Sequence, residues 1–117
     1  MLDKTVTFLG CGSWGAALGA ILAEKGIFVR YWHRNESVIN EMQSSRKHYL
    51  LSDINFNEKI SFFPEIDSAV NQANVVVLAV PSQHIRAVIT KAKKHIDPSA
   101  IIINIAKGIE NDTLKIM

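Results

Sequence analysis

The junction between a short apolar segment and a glycine-rich turn constrains this chain more than any other feature. Residues 4–9 have the composition of a strand, and Gly10, Gly12 and Gly15 follow directly at the spacing Gly-x-Gly-x-x-Gly. In such a junction the first glycine permits a tight turn, the second lets the backbone approach a phosphate, and the third lets the next helix pack closely. The N–H groups at the start of that helix attract an anion. The order strand, glycines, helix therefore predicts a site for the pyrophosphate of a dinucleotide.

Strand-like and helix-like segments alternate along the rest of the chain. The predicted strands cover residues 4–9, 28–32, 60–63, 74–80 and 100–106. The predicted helices run from the glycine turn to Gly26, over residues 36–45 and 65–72, and from Ser82 to Asp97, with a further helix beginning at Thr113. Residues 74–80 and 100–106 are apolar almost throughout, which is typical of strands buried on both faces of a parallel sheet. The alternation predicts an α/β fold, a doubly wound parallel sheet, in one domain of residues 1–117.

The first predicted helix carries an apolar stripe and two glycines one turn apart. The stripe predicts a core-facing side made of Trp14, Ala17, Leu18, Ile21 and Leu22. For Trp14 a second interpretation stays open, a wall beside the pyrophosphate and nicotinamide of a bound dinucleotide. Gly15 and Gly19 predict a close approach of this helix to the sheet.

Composition excludes several classes of function. The net charge of +2 gives no reason to expect nucleic acid as a partner. The single cysteine, Cys11, cannot form an internal disulfide and is expected to be a small buried side chain, and the four scattered histidines do not indicate a metal site. Since the sequence shows neither a leader nor an apolar run of about 18 residues, we expect no membrane span and a cytoplasmic protein.

Unusual residues follow four of the five predicted strands. They are the glycine turn after the first strand, His33 and Arg34 after the second, Pro81 after the fourth and Lys107 after the fifth. Because ligands of open α/β sheets bind at the carboxyl ends of the strands, these residues are expected to surround one ligand site. Pro81 would shape a wall beside the cofactor. Lys107 would hold a carbonyl or alkoxide oxygen or an anionic substrate group, unless it is a structural lysine.

The end of the second strand indicates the type of dinucleotide. NAD is marked by a carboxylate about 20 residues past the glycines, but Arg34 stands in that region instead. Arg34 would pair with a 2′-phosphate or stack on adenine, which favours NADP over NAD. The alternative is a solvated loop arginine. His33 is either a ligand contact or a plain surface histidine, and Ser13 either caps the first helix or touches a phosphate.

Five short motifs, taken in order, are similar to those of one known family. The motifs are Gly10-Cys-Gly-Ser-Trp-Gly15, Trp32-x-Arg34, Arg46-x-x-Tyr49-Leu50, Val80-Pro-Ser-x-x-x-Arg86 and Lys107-Gly-Ile-Glu110. With them the chain resembles the amino-terminal part of the NAD(P)-dependent glycerol-3-phosphate dehydrogenases over its whole length. The resemblance implies a Rossmann dinucleotide-binding domain. It also implies reduction of dihydroxyacetone phosphate to sn-glycerol 3-phosphate by hydride transfer, which serves glycerophospholipid synthesis in bacteria.

The resemblance also implies roles for single residues. Ser13 and Trp14 stand at positions that contact the dinucleotide, Arg34 stands near the adenosine ribose, and Lys107 stands where a lysine contacts both cofactor and substrate. His33 departs from the family pattern, in which glycine is common at this position.

Enzymes of this family carry a second, helical domain that this chain lacks. That domain holds the substrate pocket and the lysine that acts as general acid/base, so residues 1–117 are expected to bind a dinucleotide and to turn over nothing alone. A small phosphorylated substrate and a homodimer are expected of the whole enzyme. Two alternatives stay open: a related two-domain dehydrogenase of hydroxy acids or sugar phosphates, and a dinucleotide-sensing module without chemistry.

Overall fold

Five parallel strands form one sheet with helices on both faces. The computed structural model of the chain describes residues 4–48, 53–80 and 82–105. The strands are β1 (Thr5–Leu9), β2 (Phe28–Trp32), β3 (Ile60–Phe63), β4 (Val75–Leu78) and β5 (Ile101–Asn104). The helices are α1 (Ser13–Glu24), α2 (Glu36–Ser45), α3 (Ile66–Val70) and α4 (Ile85–Ala92), the last preceded by a 3₁₀ turn over Ser82–His84. The doubly wound parallel sheet predicted from the sequence is confirmed.

The strand order places β1 at the centre of the sheet. The order is β3-β2-β1-β4-β5, and every pair of neighbours is parallel. Phe8 of β1 stands opposite Tyr31 of β2 on one side and Val77 of β4 on the other. The chain therefore winds outward in one direction from β1 to β3 and in the other from β4 to β5. This reversal lies between β1 and β4, which is where open α/β sheets bind ligands.

Apolar side chains fill both sides of the sheet. One core packs the sheet against α1 and α2, and the other packs it against α3 and α4. Tyr31 lies at the centre of the first core, with its ring centroid 5.3 Å from that of Phe8, 5.5 Å from Phe56 and 5.9 Å from Phe62. On the opposite face the buried Thr7 hydroxyl donates a hydrogen bond of 2.5 Å to the carbonyl of Ala69 in α3. Both faces of the central strands β1 and β4 are thus covered, as a parallel sheet requires.

The face of α1 that packs most closely on the sheet consists of small residues, and the predicted apolar stripe is confirmed only in part: Leu18 and Leu22 pack against the core, whereas Trp14 and Ile21 do not. The buried members of this face are Gly15, Ala16, Gly19 and Ala23, whereas Trp14 is 80% exposed and Ile21 is 51% exposed. A methyl group on Gly15 would stand 3.4 Å from Phe8, and one on Gly19 would overlap the Tyr31 hydroxyl. Because aromatic side chains of the sheet already fill this space, Leu18 and Leu22 reach the core only as partly buried side chains, and Trp14 and Ile21 are exposed. The close approach predicted from Gly15 and Gly19 is confirmed.

The fifth strand is exposed, which is contrary to the prediction that it is buried on both faces. Ile101, Ile102 and Ile103 are 62%, 52% and 44% exposed. Among the described residues β5 is an edge strand that pairs only with β4, and all four of its side chains are exposed. The apolar composition of the strand was therefore not enough to predict whether it is buried.

The last helix ends earlier than predicted. It stops at Ala92, and the carboxylate of Asp97 accepts the Ser99 N–H at 2.8 Å, so Asp97 caps a later turn instead of ending the helix. The segment predicted to begin a helix at Thr113 lies outside the described residues. No helix in the described part of the chain is long and apolar enough to cross a membrane.

Candidate functional site

The glycine turn is held tightly between the ends of three strands. The Gly10 N–H donates to the Trp32 carbonyl at 2.8 Å, and the Ala79 N–H donates to the Leu9 carbonyl at 2.9 Å. Gly10 has a φ of +114°, and a Cβ atom on it would lie 2.7 Å from the carbonyl carbon and oxygen of Ala79. Both the backbone angle and the contact therefore require glycine at this position.

Two residues later the space in front of the backbone is open. Gly12 is the N-cap of α1 with a φ of −75°, and a Cβ atom there would meet no atom of the described residues within 4 Å. The first N–H groups of a helix have no acceptor within the helix. Gly12 has no side chain with which to cap them, and the first turn of α1 holds no acidic residue, so these N–H groups have no side-chain cap from Gly12. An open approach to uncapped N–H groups fits the pyrophosphate of a dinucleotide.

A buried histidine, which the sequence analysis did not single out, forms a hydrogen bond with the backbone of this glycine turn. His48 is 4% exposed, and its Nε2 lies 2.8 Å from the carbonyl oxygen of Cys11, to which it donates. Its ring also stands edge-on to Phe56, with 6.4 Å between centroids. His48 lies in a turn-rich segment without hydrophobic periodicity, so no pattern in the sequence marks it as a contact of the glycine turn.

Cys11 itself is the small buried side chain that the sequence predicted. It is 1% exposed, and its Sγ lies 3.8 Å from Sδ of Met42 in α2. Burial raises the pKa of the Cys11 thiol to about 12. The thiol is therefore protonated at neutral pH and serves packing.

The two tryptophans of the chain have opposite environments. Trp14 lies in the first turn of α1, two residues past Gly12, and is 80% exposed. Trp32 is 7% exposed, and its Nε1–H donates to the Pro64 carbonyl at 3.2 Å. The structure therefore excludes core packing for Trp14 and leaves its ring beside the open end of α1.

The residues that follow β2 form a compact turn. The Asn35 N–H donates to His33 Nδ1 at 2.9 Å, and the Asn35 side chain caps α2 by accepting the Ser37 N–H at 3.0 Å. His33 is half-buried, and its pKa is lowered, first by desolvation and then by the charges of Arg34 and His48. These hydrogen bonds fix the backbone on either side of Arg34.

Arg34 contacts a residue that sequence reasoning did not single out. Its Nη1 lies 2.6 Å from Nε2 of His84 and 3.3 Å from Nδ1. Because the same Nη1 is close to both ring nitrogens, the guanidinium stands against the ring of His84. The sequence carried only a positional signal for His84, which follows β4 and so belongs to the same edge of the sheet.

The structure brings most of the predicted site residues to one edge of the sheet. Gly10, Gly12, Ser13, Trp14 and Gly15 lie at the end of β1 and the start of α1, and His33 and Arg34 lie at the end of β2. Pro81 and Lys107 lie outside the described residues, so their positions stay predictions. Within residues 4–48, 53–80 and 82–105, no three His, Cys, Asp or Glu side chains are grouped as metal ligands would be.

Comparison with known protein families identifies one match across nearly the whole chain. Residues 5–117 match the model of the family described as "NAD-dependent glycerol-3-phosphate dehydrogenase N-terminus". A relative from Clostridium perfringens (strain SM101 / Type A), "Glycerol-3-phosphate dehydrogenase [NAD(P)+]", is 44% identical over 109 residues. The match covers 92% of this chain and 33% of the relative. The chain thus spans about a third of the length of the curated relatives that it matches.

Solved structures agree with this match. The crystal structure of glycerol-3-phosphate dehydrogenase from Coxiella burnetii superposes with a TM-score of 0.86 at 30% identity, over 93% of this chain and 34% of that one. The enzyme of the same name from Saccharomyces cerevisiae superposes with a TM-score of 0.79 over 93% of this chain and 35% of that one. At 22% identity the second likeness concerns the fold alone.

Proposed function

Because the chain belongs to the family of NAD-dependent glycerol-3-phosphate dehydrogenases, we propose that residues 1–117 are the dinucleotide-binding domain of such an enzyme. The enzyme interconverts dihydroxyacetone phosphate and sn-glycerol 3-phosphate with NADH or NADPH, and its product serves glycerophospholipid synthesis. The substrate pocket and the general acid/base lysine belong to a helical domain outside this chain.

The observation that carries the proposal is the contrast between Gly10 and Gly12. Gly10 has no room for a methyl group, whereas Gly12 faces open space at the uncapped start of α1. The packing of this protein explains the first glycine, and a ligand explains the second, because a methyl group at position 12 would have no described atom within 4 Å. The pyrophosphate would accept hydrogen bonds from the N–H groups of the first turn of α1. The positive end of the helix macrodipole would stabilise its negative charge.

The remaining predicted residues are assigned around this anchor. When bound, the nicotinamide supplies or accepts the hydride. Ser13 and Trp14 border the pyrophosphate, with the exposed Trp14 ring as one wall. His33 and Arg34 lie at the adenosine end, since they follow β2.

Two further assignments rest on sequence position. Pro81 follows β4 and would form a wall of the groove. Lys107 lies three residues past the end of β5 and would contact both cofactor and substrate, where its cation would stabilise the substrate oxygen that gains negative charge.

A homodimer in the cytoplasm completes the proposal. The exposed isoleucines of β5 support burial of this strand in the whole protein, and the single free cysteine suits a reducing compartment. Light scattering of the purified protein would measure the mass of the assembly.

The test combines a binding and a turnover measurement. The purified protein is titrated with NADH and with NADPH, and the variant Gly12→Ala is compared with it. The matched control is Gly26→Asn, since Gly26 at the other end of α1 is also open and asparagine tolerates its φ of +91°. We expect Gly12→Ala to weaken binding by about tenfold or more, because a methyl group blocks the approach of the phosphates, and Gly26→Asn to leave it unchanged.

The outcomes separate the alternatives. A folded protein that binds neither dinucleotide would overturn the proposal. Binding without oxidation of NADH or NADPH by dihydroxyacetone phosphate, in the protein at its natural length, would favour a sensing module. Turnover of another hydroxy acid or sugar phosphate in its place would favour a related dehydrogenase.

A further inference from the structure

The contact between Arg34 and His84 joins two loops that stand on either side of β1. Arg34 is two residues past Trp32, the last residue of β2, and His84 ends the 3₁₀ turn that follows β4. In the sheet β2 and β4 are the two neighbours of β1. The contact of 2.6 Å therefore spans the carboxyl end of β1, at the edge where the glycine turn opens.

The pair is rich in donors. Arg34 has five N–H donors and no acceptor, and the contact to His84 uses one side of its guanidinium. The His84 ring carries at least one N–H donor in either tautomer. An imidazole bears no negative charge, so it does not neutralise its partner, and the positive charge of Arg34 persists. Together the two side chains offer N–H groups and a positive charge.

This chemistry matches one of the two dinucleotides better than the other. The ribose 2′-hydroxyl of NAD is held by a carboxylate acceptor, whereas the 2′-phosphate of NADP needs donors and positive charge. The second imidazole at this edge, that of His33, already accepts the Asn35 N–H through Nδ1. His84 is thus the histidine that the structure pairs with Arg34.

We propose that His84 is a specificity-determining residue, which together with Arg34 binds the 2′-phosphate of NADP(H). The inference rests on the proposed function, in that a dinucleotide must bind at the glycine turn. His84 acts in two ways: its ring orients the guanidinium before the ligand arrives, and its N–H donates to a phosphate oxygen. Orientation in advance lowers the entropic cost of ordering a long side chain on binding.

The experiment measures the dissociation constants of NADPH and NADH for the wild-type protein and for His84→Ala, His84→Gln and Arg34→Ala. The control is His95→Gln, since His95 is an exposed histidine beyond α4. We expect His84→Ala to raise the Kd of NADPH about tenfold and that of NADH less than about twofold, because one charge-assisted hydrogen bond is lost. His84→Gln keeps an acceptor and donors in its amide, so it should recover most of the loss.

A double-mutant cycle tests whether the two residues act together. Once Arg34→Ala has removed the cation, the further change His84→Ala should alter the Kd of NADPH by less than it does in the wild type. Equal effects in both backgrounds would mean that His84 acts without Arg34 and would overturn the inference.

The remaining outcomes are equally decisive. Equal weakening of NADPH and NADH by His84→Ala would show that His84 only shapes the groove, and no change in either would exclude it from the site. In both cases the proposed function stands while this inference fails. A folded wild-type protein that binds neither dinucleotide would overturn both.

Discussion

Gly19 of α1 lies directly against the hydroxyl of Tyr31 of β2, so closely that a methyl group at position 19 would overlap it. The same hydroxyl donates to the carbonyl oxygens of Gly15 and Ala16, at 2.9 and 3.0 Å. Tyr31 therefore sets the height of α1 above the sheet. Because α1 begins at the glycine turn, this contact also sets where its uncapped N–H groups stand.

Replacing Gly19 by alanine should destabilise the protein by about 2–3 kcal/mol, since overpacking beside a rigid aromatic ring outweighs the better helix propensity of alanine. Urea unfolding measures the change. In a Tyr31→Phe background, which lacks the hydroxyl, the same substitution should cost less. A Gly19→Ala protein as stable as the wild type would show that α1 can lift from the sheet.

Changes at Gly10 and Gly12 should act in opposite directions on stability. Gly12→Ser supplies an N-cap side chain for α1 and should stabilise the fold by about 0.3 kcal/mol, yet it should weaken dinucleotide binding because its hydroxyl accepts from the N–H groups of the first turn. Gly10→Ala should destabilise by about 2 kcal/mol or more, given its positive φ and the contact with Ala79. Unfolding and binding curves on the same samples check both. Gly12→Ser with lower stability and intact binding would contradict this account.

Trp14 should account for most of the change in tryptophan fluorescence when a dinucleotide binds. It is exposed beside the open end of α1, whereas Trp32 is buried against Pro64 in the second core. A titration of Trp14→Phe should thus show little signal, while Trp32→Phe, if still folded by circular dichroism, should retain it. A full signal from Trp14→Phe would place the ligand away from the start of α1.

The Cys11 thiol should be unreactive in the folded protein and should make stability decrease at alkaline pH. Burial raises its pKa from 9.0 to about 12, so between these values the folded state keeps a proton that the unfolded chain releases. Stability from this group is complete below pH 9 and is lost as the pH rises towards 12. The free energy of unfolding, measured across this pH range, should decrease less steeply for Cys11→Ala than for the wild-type protein.

Thiol labelling provides the matching kinetic check. A thiol-specific disulfide reagent should modify the native protein at least about 100-fold more slowly than the protein in urea, because only the thiolate reacts and the side chain is buried. Rapid labelling of the native protein would contradict the packing of Cys11 against Met42.

Local patterns predicted much of the fold. The observed bounds of β2, α2 and β3 agree with those predicted, since β-branched and aromatic runs and helical spacing act over a few neighbouring residues. The same patterns were only partly right for the buried face of α1. Leu18 and Leu22 of the predicted stripe pack against the core, but Trp14 and Ile21 are exposed. Where α1 comes closest to Phe8 and Tyr31, there is room only for Gly15 and Gly19.

The site was predicted in part for the same reason. The glycine spacing marks Gly10, Gly12 and Gly15 because they belong to one continuous segment whose chemistry is local. His84 and His48 carry no such mark. Their partners Arg34 and Cys11 are 50 and 37 residues away in the chain, and no pattern in a single sequence reports contacts of that range.

The sequence by itself thus determined the alternation of strands and helices, the family and the glycine turn between β1 and α1, because each depends on residues that are neighbours in the chain. Only the tertiary structure decided which face of α1 is buried, that β5 is exposed, and that Arg34 contacts His84 across the end of β1. Those features depend on which distant segments occupy the same space. Close packing in the folded protein selects one arrangement of these distant segments, and no local pattern in the sequence shows which one it is.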